Sequence, residues 1–265
     1  MENNNKTATL LRAAAVIMLV TLIITCSANL ISRVICEIYN GYFEGSVIGS
    51  VIRLFEDVSA YRAVSLLYNV VMPVTVMIVG AVIDIIIIKR FFSGNEKQSG
   101  IIIIVSAAVS YCNTVATVAV ADFIYIPLLH YENGSPLYSD IRSFALSFIV
   151  TFMSATATVI PVILLGLLLI GVFKKASKVV GFVLIGCLAV SAVLSLSGVF
   201  SNIVTYIRLY NNGELSGIVL VMTVISVVSS VWAAGRYIAY MLCSLGIALK
   251  PRDKTEIPQD NTVTS

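Results

Sequence analysis

The chain has 265 residues, 58% of them apolar and only 12% charged, with a net charge of +3 from 17 basic and 14 acidic side chains and a mean hydropathy of +0.98. Soluble domains are about 45–50% apolar and about 25% charged, so a soluble globular domain, a disordered chain and a coiled coil are excluded. No basic cluster is present to neutralise phosphates, which excludes nucleic acid as a partner; what remains is a polytopic, all-α membrane protein whose solvent is the lipid bilayer.

A helix crosses about 30 Å of hydrocarbon with about 20 residues. Six segments reach that length: 10–31, 64–88, 101–129, 142–173, 179–206 and 217–249. They read as one transmembrane domain over 1–249, built as three helical hairpins, followed by a polar tail at 250–265 that is expected to be disordered. A competing reading takes the first span as a signal peptide cleaved near Cys26-Ser27-Ala28. Against it, the apolar run is longer than a usual signal core, and Thr25 suits poorly the position before a lipidated cysteine.

The first loop carries a patterned stretch at 46–62. Val47, Ile48, Val51, Ile52, Phe55 and Val58 recur at helical spacing, while Ser50, Arg53, Glu56 and Asp57 cover the other face. This predicts an extracytoplasmic amphipathic helix in the membrane interface, serving either as a cap on the bundle or as a gate or docking element. Each outer loop also opens on a tyrosine followed by Asn-Gly, at Tyr39-Asn40-Gly41, Tyr131 to Gly134 and Tyr210 to Gly213. A tandem hairpin repeat would produce this, and so would the independent preference of tyrosine for the interface and of Asn-Gly for turns.

Charge placement sets the orientation. All eight lysines and three arginines, 11 of the 17 basic residues, fall in the N-tail, the 89–100 loop, the 174–178 loop and the C-tail, while seven acids (Glu37, Glu44, Glu56, Asp57, Glu132, Asp140, Glu214) fall in the alternate loops. The positive-inside rule then places both termini in the cytoplasm, with the chain in the cell's cytoplasmic membrane.

Every span carries a stripe of small or polar residues at helical spacing. Examples are Thr21, Thr25 and Ala28; Asn69, Pro73, Gly80 and Asp84; Ser106, Ser110 and Asn113; Ser147, Thr151, Ser154 and Thr158; Ser191, Ser195 and Asn202; Ser226, Ser229, Ser230 and Ala233. Two causes make such stripes: close dry packing with interhelical hydrogen bonds, or a wet pathway that tolerates polar groups. Dry packing is the commoner, and the mid-span prolines Pro73 and Pro161, which free backbone carbonyls, lean toward the second.

Only Asp84, Asp122 and Arg236 put charge inside the spans. Asp84 and Arg236 both fall near the cytoplasmic edge, so they are expected either to pair between the second and sixth spans or to snorkel separately to water. Asp122 lies off its polar stripe and is expected to cap or snorkel. The last span is long, which predicts a bend near Gly235 with Tyr237 to Leu249 lying at the cytoplasmic interface.

The five cysteines have no metal-ligand spacing, His130 is the lone histidine, and P-loops, HExxH and dinucleotide fingerprints are missing, so the sequence reads as neither an enzyme nor a metal or cofactor protein. The candidate functional residues are Asp84, Arg236, Asn69, Asn113 and Asn202. The leading functional expectation is a permease or permease subunit. An ATP-driven version needs a separate cytoplasmic ATPase at the short basic loops, or another membrane subunit, whereas a proton-coupled version would rest on Asp84. The alternative is a non-transporting assembly, immunity or signalling partner.

Overall fold

Lipid offers no hydrogen bonds, so each apolar run of Ile, Val, Leu and Ala closes its backbone bonds internally as helix. The computed structural model describes residues 2–38, 47–56, 59–132, 141–173, 176–211 and 217–250. In chain order the helices are α1 (Glu2–Ile38), α2 (Val47–Glu56), α3 (Ala60–Leu66), α4 (Met72–Phe92), α5 (Glu96–Val120), α6 (Ile126–Glu132), α7 (Ile141–Ile170), α8 (Ser177–Asn211) and α9 (Gly217–Ala248). Single π-helical segments at Leu67–Val71 and Ala121–Tyr125 join α3 to α4 and α5 to α6, and the described residues contain no strand. Six stretches are long and apolar enough to cross a membrane: Lys6–Ile35, Ala60–Phe92, Glu96–Leu128, Phe148–Ile170, Ser177–Leu196 and Thr223–Ala248. The chain is a multi-pass membrane protein. The tail beyond residue 250 and the Asn-Gly turns of the outer loops lie outside the described residues.

Several boundaries differ from the sequence reading, each for a local reason. The span expected to reach 173 stops at Ile170, because Gly171 takes φ 91°, the left-handed conformation that ends helices. At the other loop on this side, α4 runs on to Phe92 and α5 starts at Glu96. Gly94 turns the chain at φ 68°, and the Asn95 side chain caps α5 by accepting the Gln98 N–H at 3.1 Å. The amphipathic helix expected over 46–62 is two helices, since α2 ends at Glu56 and α3 begins afresh behind Ser59, whose Oγ accepts the Arg62 N–H at 3.3 Å. No break interrupts α9 at Gly235, and Tyr237 to Leu249 is not an interfacial segment: Tyr240 and Cys243 are buried within the bundle. Gly235 instead admits α1, because a Cβ there would stand 2.5 Å from Thr21 Oγ1.

Both π segments have one cause. Proline cannot donate a backbone bond and its ring crowds the carbonyl four residues back, and the turns ahead of Pro73 and Pro127 widen accordingly. Met72 N–H bonds to Leu67 C=O, and Ile126 N–H to Ala121 C=O. The Asn69 carbonyl, freed by Pro73, accepts Arg33 Nη1 at 3.3 Å. Tyr125 stacks on Tyr61 at 5.7 Å and on Tyr68 at 5.1 Å between ring centroids, so the two π segments are tied together. Asp122 sits in the second segment, buried rather than snorkelling, and its Oδ2 has no hydrogen-bond partner among the described residues.

Helices in lipid associate through close packing and interhelical hydrogen bonds of about 0.6 kcal/mol each, not through a hydrophobic driving force. Glycines set the closest approaches. Gly100 of α5 faces Gly166 of α7, and Gly181 of α8 faces Ala248 of α9. Ser244 Oγ donates to Gly181 C=O at 2.9 Å, Thr7 Oγ1 to Gly246 C=O at 3.1 Å, and Lys250 meets Glu96 at 3.0 Å. These contacts gather the starts of α1, α5 and α8 and the ends of α7 and α9 at one end of the bundle, the end that carries both termini. The core lies there too, with Leu11, Phe91, Ile103, Leu165, Leu184 and Cys243, one from each span, buried together.

Candidate functional site

Above that core the polar stripes do not meet in dry contact. They surround a cavity of about 500 Å³, reached by every spanning helix. Spacing of three or four residues keeps each contribution on one face: Thr21, Thr25 and Asn29 from α1; Gly80 and Asp84 from α4; Ser106, Ser110 and Asn113 from α5; Arg236 and Tyr240 from α9. Thr158 of α7 and Ser195 of α8 complete the wall. Burial falls along α4 and α5 away from the termini. Asp84 and Ala107 are buried, whereas Thr75, Val76 and Ser110, further along α4 and α5, are exposed, so the cavity is closed on the side of the core.

Two hydroxyls of this lining depart from the usual helical pattern. A threonine within a helix commonly satisfies its hydroxyl on the carbonyl one turn back, as Thr114 does on Ser110, Thr156 on Phe152 and Thr158 on Ser154. Thr21 and Thr25 do not: among the described residues both Oγ1 atoms are buried without a partner, Thr21 Oγ1 being enclosed against Gly235 of α9. A buried hydroxyl left unpaired costs about 1–3 kcal/mol.

Two opposite charges sit at the floor. Arg236 Nη2 donates to Asp84 Oδ2 and forms an ion pair between α9 and α4. The Asp84 side chain is 8% exposed and its Oδ1 has no partner among the described residues, whereas the Arg236 side chain, which lines the cavity, is 39% exposed. Among the described residues no three His, Cys, Asp or Glu side chains gather as a metal site.

Of the residues singled out in the sequence, Asp84, Arg236 and Asn113 share this cavity. Asn69 does not reach it. It lies beyond Thr75, the outermost α4 residue of the lining, and its side chain donates to Ser65 Oγ at 3.2 Å. The side chain of Asn202 lies outside the described residues. On α9 the cavity takes Arg236, Tyr237 and Tyr240, and not Ser226 or Ser229 of the expected stripe, while the side chain of Ser230 lies outside the described residues. The signal for Tyr240 was its position four residues after Arg236, which fixes both on one face.

Gly80 lines the cavity with nothing within 4 Å of an added Cβ. Gly80→Ala is therefore expected to stabilise the protein by about 0.5–1 kcal/mol through helix propensity alone. Thermal unfolding in detergent measures this.

No protein-family model, curated protein or solved structure matches the chain.

Proposed function

We propose that the chain is the permease, or a permease subunit, of a solute transporter in the cytoplasmic membrane. The observation that carries this reading is the cavity: about 500 Å³, contributed to by every spanning helix, lined by apolar, hydroxyl and amide side chains and one ion pair, and closed toward the core. Its size falls within the roughly 300–1,000 Å³ of small-molecule sites, and a central cavity sealed on one side is the ground state of alternating access. The lysines of the N-tail and short loops place the sealed end in the cytoplasm and the opening outside. Labelling single cysteines at positions 95 and 134 with an impermeant reagent is expected to mark only 134 from outside, and the reverse pattern inverts the orientation. In this reading the chain binds and passes its solute rather than transforming it, and needs no resident cofactor.

The short loops are too small to hydrolyse nucleotide, so an energised version draws on a separate cytoplasmic ATPase or another membrane subunit. The second reading, a non-transporting assembly, immunity or signalling partner, draws on α2, whose Phe55 is 82% exposed and offers a docking side chain as readily as an interfacial anchor.

Purification from native membranes, mass spectrometry of what copurifies, and reconstitution into liposomes separate the two. The permease reading predicts flux of a small polar solute, either by the chain alone or with its copurified ATPase. Absence of flux in both preparations contradicts it and favours the docking partner.

A further inference from the structure

The charge balance of the cavity limits what can enter it. Apart from Asp84 and Arg236, the described groups that line it are neutral: hydroxyls, amides, Cys26 on α1, and Tyr237 and Tyr240 on α9, while α5 presents only serines, Asn113 and apolar side chains toward Asp84. A guanidinium carries five N–H donors in a planar fork. Among the described residues Arg236 hydrogen-bonds only Asp84, through Nη2, and its side chain lines the cavity with 39% of its surface exposed, which leaves donors of the fork for a ligand. That geometry matches the paired oxygens of a carboxylate, sulfonate or phosphate.

An arriving anion would leave two negative charges on one positive charge in a poorly solvated site, which is costly unless a further positive charge arrives with it. The spare acceptor is Asp84 Oδ1, with under 1 Å² of surface and no partner. An ammonium group carried by the solute cannot reach an atom so enclosed, whereas Oδ2, the oxygen on Arg236, can take a proton from water once the guanidinium turns to the anion. We propose, building on the transport reading, that the cavity binds a small oxyanion on Arg236 and that Asp84 takes up one proton with it. The carboxylate Asp84–COO⁻ plus a proton from solvent becomes Asp84–COOH, Arg236 keeps its charge, and the anion replaces the charge that Asp84 has lost. The site is neutral before and after, and solute and proton enter as a neutral pair.

Calorimetric titration of the full chain in lipid nanodiscs tests this with sodium acetate and sodium methanesulfonate as probes, and with glycine, choline and glucose for comparison. The wild type is expected to bind both anions, to take up one proton per anion when buffers of different protonation enthalpy are compared, and to lose affinity about tenfold per pH unit once Asp84 is ionised in the empty protein. Asp84→Asn should bind with no pH slope, and Arg236→Gln should not bind at any pH. Where Asp84→Asn does not fold, the wild-type slope and the buffer comparison decide. Failure of both anions to bind, binding without proton uptake, or glycine binding in preference to acetate overturns the proposal. Proton-linked anion binding without flux in liposomes would contradict the transport reading alone, and glucose flux without anion binding would contradict this inference alone.

Discussion

Arg236→Met is expected to destabilise the protein by about 3–5 kcal/mol, because it leaves the carboxylate of Asp84 buried and uncompensated. Asp84→Leu should cost clearly less. The orphaned guanidinium then has 39% of its side chain at the cavity, where water can solvate it, whereas the Asp84 side chain has only 8%. The double variant Asp84→Leu/Arg236→Met should return to within about 1 kcal/mol of wild type, since replacing a buried pair by apolar side chains is often neutral or better. Reversible unfolding of the four proteins in mixed micelles closes the cycle. Equal losses in the two single variants would mean that the ion pair is solvated alike on both sides.

Gly100→Ala should destabilise by about 1–3 kcal/mol, the second of the large effects. Its Cβ would stand 2.5 Å from the carbonyl oxygen of Gly166 and 2.9 Å from Leu169 Cβ, so backbone, not a flexible side-chain tip, has to move. Gly166→Ala meets Gly100 C=O at 2.7 Å and should behave alike. The double variant should fall short of the sum, because one separation of α5 from α7 relieves both contacts. Gly186→Ala, with nothing within 4 Å of the added atom, serves as the control. Melting temperatures of the set measure the effect, and a neutral Gly100→Ala would contradict the close approach that seals the terminal end.

Some of this is readable from residues and some is not. The existence of six spans follows from hydropathy, because a run such as Ile101–Val105 or Ile85–Ile88 has no other stable place in a chain so poor in charge. Depth alone puts Asp84 and Arg236 near one level, and scarcity of charge then makes them natural partners. The absence of Asn69 from the cavity is not readable from helical phase, because the α4 lining ends at Thr75 and leaves out Pro73 as well. Tyr237 and Tyr240 mislead for another reason. Tyrosine in a terminal span suggests the interface, yet Tyr240 is 2% exposed and shares a face with Arg236. The cavity itself is the least legible feature. Stripes of serine and threonine look alike whether they pack or line a cavity, and Thr21 does both, closing on Gly235 while lining the open space.

Transport requires that the cavity admit water from the side away from the termini. Cys26 lines it, while Cys243 is buried in the core below. In right-side-out vesicles, a variant retaining only Cys26 should react with a charged, membrane-impermeant methanethiosulfonate, and one retaining only Cys243 should remain unmodified until it is denatured. A Cys26 as inert as Cys243 would show the stripes to be dry packing and would contradict the site, its opening and the transport reading together.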